Sequence, residues 1–490
     1  MGVIKRQGIK NTIINYFGVG IGFISLIFIQ PQLLTPSELG LIRVLMAFSG
    51  LISAVFLLGV SNINVRYFPY FINPEHKHHG YFGLMLLFPL TGCIIGAFFL
   101  FLFKDFITSQ YIKESKLFAD YFFYVSPLAV FITFTIALNS YSTALYKTTV
   151  PSFLNEIVNR ILFICVILLY FFRYVNFEQF IFCFVSIYAI QVILVSGYIY
   201  RVDTPSIKID FSFLKSVNVP GMIRYGLLLM LTYISSVSLK FLDSIMIAKF
   251  LPLAFVGVYS IAAFIAMVIE IPLSSVERIA SAKIASAWAN NNLNELKKIY
   301  NMSAKYMSLL GGILMISVIV NVHDLLSLLP DAYHQGATVT ILISCAAFIN
   351  MATGVNHSII YNSSKYIFGF IFVLVLLVLT VVGNLILIPE YGIEGAAIST
   401  AFAGIVYNLL KYVYIWKVFK MQPFDSSMVK ILGVIALCFA INYSLPVLDN
   451  HIVSIIVRSA IIIISYASAT YSLNIVPEFH QYIPILGKKK

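Results

Sequence analysis

Six charged side chains and one asparagine lie inside or at the edge of stretches that are otherwise apolar: Asn15, Arg43, Arg66, Lys240, Asp243, Glu270 and Glu277. In a helix that crosses lipid, a charge costs at least about 2.5–3.5 kcal/mol, so it faces a cavity, a partner or the interface. Lys240 and Asp243 are three residues apart and therefore neighbours on one helical face. They make either a structural ion pair or a cavity charge in which the carboxylate holds a proton or a cation. Glu270 stands two residues before Pro272, whose ring and missing N–H break a helix and free backbone groups. Glu277 follows two turns later on the same face, beside Arg278. A broken helix carrying carboxylates at depth suits ion or proton coupling, and a local pair is the plainer alternative. Arg43 lies about a turn from the outer end of its segment, where it either lines a cavity or snorkels to the interface. For Arg66, at the cytoplasmic end, a topology role competes with a substrate role. Asn15 belongs to a small and polar stripe, Asn11, Asn15, Gly18, Gly22 and Ser25, at helical spacing. Such a stripe is a close-packing face or a cavity wall. Arg458 reads as peripheral.

The elements that must position these residues are membrane-spanning helices. Hydrophobic residues make up 60% of the chain and charged residues 11%, with mean hydropathy +0.93; soluble globules carry about 25% charged residues. A hydrocarbon core about 30 Å thick needs roughly 20 apolar residues per helix. Fourteen segments qualify, starting near Thr12, Leu39, Tyr81, Tyr121, Phe153, Phe177, Gly221, Phe255, Met302, Ala337, Phe368, Gly395, Met428 and Ile452. With the N-terminus assigned to the cytoplasm, 23 of the 32 lysines and arginines, among them Arg160, Lys411 and the tail Lys488–Lys490, fall in cytoplasmic loops and flanks. Only Lys104, Lys113, Lys116, Arg173 and Lys249 fall on the other side. Positive charge stays inside, so both termini are expected in the cytoplasm. The first segment reads as an uncleaved span rather than a removed signal. The net charge of +12 therefore reports topology and anionic lipid, not nucleic acid. Five cysteines, all within apolar segments, suggest neither disulfides nor zinc. Glu75-His-Lys-His-His79 lacks ligand spacing, so no metal is expected there. No loop is long enough for a catalytic domain, and no nucleotide-binding or Ser/His/Asp motif is present. An enzyme and a cofactor are not expected.

Leu34-Thr-Pro-Ser-Glu-Leu-Gly40 and Leu251-Pro-Leu-Ala-Phe-Val-Gly257 follow spans one and seven, and Pro389-Glu-Tyr-Gly-Ile-Glu-Gly395 separates spans eleven and twelve. Units of six spans would be parallel repeats about an axis along the membrane normal, unless the Pro and Gly only mark tight turns. Around these turns stand Gln30 through Gly40, Leu58-Gly59, Arg66-Tyr-Phe-Pro69, Asp243 through Phe250, Val256-Gly-Val-Tyr-Ser260 and Gly383 through Ala397. In these stretches, from about Lys10 to Lys420, the chain resembles the polysaccharide and O-antigen (Wzx-type) flippases of the multidrug/oligosaccharidyl-lipid/polysaccharide exporter superfamily.

The resemblance implies an all-α polytopic membrane protein with about 14 transmembrane helices. Two six-helix lobes, residues 1–215 and 216–424, would surround a central cavity, with two further helices and a basic tail in 425–490. It also implies a function: moving a lipid-linked (polyprenyl diphosphate) oligosaccharide across a bacterial inner membrane by alternating access. A sugar hydroxyl entering hydrocarbon without hydrogen bonds loses roughly 4–8 kcal/mol, so a polar, preferably cationic cavity is required. Asn15, Arg43, Arg66 and Lys240 are the candidates for it. Asp243, Glu270 and Glu277 are the candidates for coupling to Na+ or H+. Membrane lipids and polysaccharide polymerase machinery are the other partners implied. A multidrug or small-cation antiporter of the same superfamily is the alternative, with a membrane-embedded polymerase or ligase behind it; the latter usually carries a large extracytoplasmic loop.

Overall fold

The computed structural model describes residues 2–445 and 449–475, and within them every regular element is helical. The tail Lys488–Lys490 lies outside the described residues. Thirteen described helices are long and apolar enough to cross a membrane. In chain order they are α1 (Lys10–Leu33), α2 (Pro36–Phe56), α3 (Lys77–Leu102), α4 (Lys116–Ala144), α5 (Thr149–Phe171), α6 (Phe177–Asp203) and α7 (Val219–Phe250). There follow α8 (Leu253–Ala289), α9 (Leu293–Leu326), α10 (Asp331–Ala352), α11 (Ile367–Phe419), α12 (Ser426–Tyr443) and α13 (His451–Ser472).

The 53 residues of α11 are two spans folded back on each other. Gly392, at φ 62° and ψ −138°, adopts a conformation essentially restricted to glycine. The Ser399 hydroxyl donates to the Thr380 carbonyl at 3.1 Å, and the rings of Phe368 and Tyr414 lie 4.7 Å apart. Two antiparallel limbs result, and the described residues hold fourteen apolar spans.

Local chemistry sets the other ends. Pro36 opens α2, and Thr35 caps it: its hydroxyl accepts from the Glu38 N–H at 3.3 Å while the Glu38 carboxylate accepts from the Thr35 N–H at 2.8 Å. Leu58 and Gly59, both at positive φ, interrupt the helix before it resumes as the short helix Val60–Tyr67. In α8 one turn tightens to 3-10 geometry over Val268–Glu270, immediately before Pro272.

The chain divides into two compact units, Met1–Gly257 and Val258–Lys490. In the first, α7 runs antiparallel along α2, and three glycines between Pro36 and Val60 make the close contacts with α7 and the start of α8. A Cβ on Gly40 would overlap the Leu253 carbonyl, one on Gly50 the Phe241 ring, and one on Gly59 the Gly226 carbonyl. Lipid offers helices no hydrophobic drive to associate, so close backbone approach through small residues is the main attraction. The two turn sequences alike in pattern thus meet: Gly257 in turn closes on the Pro36 carbonyl. In the second unit, α9 packs against α10, α12 and α13; the Tyr466 hydroxyl of α13 donates to the Leu309 carbonyl at 2.9 Å. Helices α12 and α13 therefore contribute to that unit's core.

Candidate functional site

The second unit holds a buried cluster of charge. Glu270 sits in the 3-10 turn of α8, and its carboxylate accepts a hydrogen bond from the Asn350 amide of α10 at 3.0 Å. Pro272 creates this geometry, because it cannot extend the ladder of the preceding turn. Glu277 lies two turns further on, half-buried, while Arg278 next to it is exposed. Its electrostatic partner is instead Lys411, on the second limb of α11. Lys411 is 2% exposed, its ammonium lies 4.0 Å from the centre of the Tyr407 ring, and it acts on both Glu277 and Glu270. Among the described residues no carboxylate approaches it within ion-pair distance. His357 and the Asn408–Thr353 hydrogen bond, 3.2 Å, adjoin the same polar region. With both carboxylates ionised and the lysine charged, the cluster carries one negative charge in excess. A proton or one monovalent cation balances it.

Lys411 corrects the sequence reading, which had placed it with the cytoplasmic flanks. The assumption behind that reading was that a lysine near a span end reaches water. Here it lies in the interior over the Tyr407 ring, and two carboxylates act on it from beyond ion-pair distance. The signal was available: intramembrane carboxylates call for a cation, and Lys411 stands four residues after Tyr407 on one face.

Arg160 needs the same correction. It lies within α5, pairs with Glu156 at 2.8 Å, and donates to the Gly18 carbonyl of α1. A Cβ on Gly18 would press on Glu156 and one on Gly22 on the Arg160 guanidinium. The small-residue stripe of α1 is therefore a packing face that receives a charged pair. Asn15, on α1 between Asn11 and Gly18, is half-buried, and Asn11 donates to the Thr148 hydroxyl at 2.7 Å.

Arg43 donates to the Gln30 side-chain carbonyl at 2.9 Å, and Gln30 donates to the Ser25 hydroxyl at 3.1 Å. Lys240 is exposed on α7, 5.2 Å from the Phe241 ring that packs on Gly50. Arg43 and Lys240 thus belong to one helix pair, with Arg43 seven residues, about 10 Å at 1.5 Å each, from Gly50. Asp243 is half-buried one turn beyond Lys240. Arg66 is separate, beyond the Leu58–Gly59 break, with its guanidinium over Tyr225 at 4.3 Å. The structure brings Glu270 and Glu277 to one helix face near Lys411; Arg43 and Lys240 lie on adjacent helices at different levels, and Arg66 is joined to neither. Arg458, read as peripheral, lies 3.9 Å from the Asp324 carboxylate.

The histidine-rich segment is a clasp. Lys77, His78, His79 and Gly80 all have positive φ. His78 accepts the Asn73 N–H at Nδ1, 3.1 Å, so its Nε2–H donates to Asp203 at 3.0 Å. Tyr141 donates to the same carboxylate at 2.6 Å. His79 contacts Asp210 at 3.2 Å, and the Asp210 carboxyl is held down at about 2 by the Ser212 hydroxyl, the Phe213 N–H and His79. The two histidines go to different carboxylates.

With two helical units and fourteen apolar spans among the described residues, the chain is a multi-pass membrane protein, and its fold is known. The lipid II flippase MurJ, solved in an inward closed conformation, matches it with a TM-score of 0.78 at 16% identity, over 97% of this chain and 100% of that one. A multidrug resistance MATE family transporter of the MOP superfamily, in an inward-facing conformation, matches at 0.62 and 11% identity, over 81% of this chain and 96% of that one. The MATE multidrug transporter DinF-BH in complex with R6G matches at 0.54 and 15%, over 85% and 95%. These similar structures are a flippase and transporters rather than enzymes. A comparison with family models finds no match, and one with curated proteins finds none either.

Proposed function

We propose that this chain is a flippase that moves lipid-linked oligosaccharide or polysaccharide repeat units across a bacterial inner membrane by alternating access, with both termini in the cytoplasm. The observation that carries the reading is extent. The lipid flippase fold accounts for 97% of the chain, whereas the multidrug transporters cover 81% and 85%. The charge distribution supports it: in this reading Arg43, Lys240 and Arg66 of the first unit meet the anionic headgroup at successive positions, and Glu270, Glu277 and Lys411 of the second serve to couple H+ or Na+. A diphosphate carries about two negative charges, each worth about 2.3 kcal/mol per 100 mV, so outward movement of the anion is downhill with the cytoplasm negative. Coupling through the carboxylates then serves to reset the empty carrier.

A second reading, export of a cationic small molecule, draws on the acidic excess beside Asn350. Complementation separates the two. A strain lacking its own flippase should regain surface polysaccharide when it carries this protein, and should gain no resistance to cationic dyes. Dye resistance without polysaccharide would favour the second reading.

A further inference from the structure

One end of the first unit presents an open aromatic and cationic surface that the coupling scheme does not use. The Leu58–Gly59 break redirects the chain into the short helix Val60–Tyr67, and Gly59 lets that helix close against Gly226 of α7. Tyr225, adjacent to that contact, comes to lie under Arg66. The Arg66 guanidinium carbon is 4.3 Å from the centre of the Tyr225 ring and 5.6 Å from that of Tyr67. Tyr67 meets Tyr225 edge-on at 5.8 Å, and the turn Phe68–Phe71 sets Tyr70 6.2 Å from Tyr67. Arg66 is exposed and Tyr70 is 70% exposed.

A guanidinium over an aromatic ring keeps N–H donors for an acceptor. Among the described residues Arg66 makes no ion pair and no hydrogen bond through those donors. Tyrosine faces beside a free guanidinium edge suit a ligand with an apolar ring face joined to an oxyanion. A pyranose linked to phosphate has that form: its C–H face stacks on the ring while the phosphate oxygens accept from arginine. A bare lipid phosphate would engage the arginine and leave the tyrosines idle.

We propose that Arg66, Tyr67, Tyr70 and Tyr225 form a receiving subsite for a sugar-1-diphosphate headgroup, with the sugar ring on Tyr70 and Tyr67 and the phosphate on the Arg66 edge. The proposal rests on the flippase reading and adds to it a place where the sugar is recognised. The test uses the purified full-length protein in lipid nanodiscs and calorimetric titration with three probes: farnesyl diphosphate, and the same lipid carrying N-acetylglucosamine or galactose.

The wild type should bind a sugar-bearing probe more tightly than the bare lipid. Tyr70→Leu should abolish that preference and leave bare-lipid binding unchanged. Arg66→Ala should weaken all three by at least about tenfold, the size of a lost charge-assisted hydrogen bond, and Arg66→Lys should recover only part. Equal thermal unfolding midpoints for Tyr70→Leu and wild type exclude misfolding as the cause. If the wild type binds the probes and Tyr70→Leu keeps the sugar preference, or Arg66→Ala binds normally, the subsite is overturned alone. If the wild type binds none of the three, the subsite and the flippase reading fall together.

Discussion

Replacing Gly40 with alanine would test the contact between the two similar turns most sharply. The added Cβ would overlap the Leu253 carbonyl oxygen and stand 2.8 Å from the carbonyl carbon, where ordinary contact begins at 3.4 Å. The turns must therefore part by more than 0.6 Å, and neither neighbour is a side chain that can swing aside. Overpacking of this kind costs about 1–3 kcal/mol, which shifts an equilibrium by about 5- to 150-fold. In an alternating-access carrier the shift falls on whichever state holds the turns together. Leu34, 4% exposed beside this contact, makes a reporter: as Leu34→Cys in a background without the five native cysteines, it should react slowly with a membrane-impermeant maleimide. Adding Gly40→Ala should raise that rate at least fivefold. Gly257→Ala, which crowds the Pro36 carbonyl from the other side, should do the same. Combined, the two should give clearly less than their summed effects, because one separation relieves both clashes. Gly20→Ala, with nothing within 4 Å of its new Cβ, is the control and should change nothing. An unchanged rate for Gly40→Ala, or full additivity in the double variant, would refute the reasoning.

Lys411→Met should remove the buried cation that acts on Glu277 and Glu270, read as a lowered unfolding midpoint. Adding Glu277→Gln should restore at least half of the loss, and a neutral single variant would contradict the cluster. Replacing Arg43 and Lys240 together with alanine should cut export at equal membrane abundance; normal export would remove them from the substrate path. Asp203→Ala deletes the anchors of His78 and Tyr141, each a charge-assisted hydrogen bond worth about 1.5–3 kcal/mol. The left-handed turn should then open and trypsin should cut at Lys77 at least tenfold faster, whereas unchanged cleavage would mean the clasp holds without the carboxylate.

Much of the fold can be read from composition and spacing, because lipid imposes simple rules. Each run of about 20 apolar residues must close its own backbone hydrogen bonds as a helix, and all fourteen starting points fall in apolar helices here. Pro272 announced the break in α8, and Gly392 marks the reversal inside α11. The site was less legible. Glu270 and Glu277 stand out as rare charges, but their partner Lys411 hides among topology lysines, since sequence gives distance from a span end and not what the side chain meets there. Arg160 was hidden for the same reason. Gly18 and Gly22 show that a small stripe can serve packing and still receive a charge. The pairing of Gly40 with Leu253 and Gly257 joins residues more than 200 apart, and only the repeated turn pattern hinted at it.

The claim that a saccharide headgroup crosses the membrane through this protein is tested most directly in proteoliposomes. A lipid-linked disaccharide with a fluorescent headgroup would be placed in both leaflets, and an impermeant glycosidase added outside would trim the outer pool. Without protein, the inner pool should stay protected. With wild-type protein it should become accessible to the enzyme, faster when the membrane potential draws the diphosphate outward, and the Arg43/Lys240 double variant should leave it protected. An inner pool that stays protected at the same density of folded wild-type protein, in liposomes that expel a cationic dye, would contradict the account.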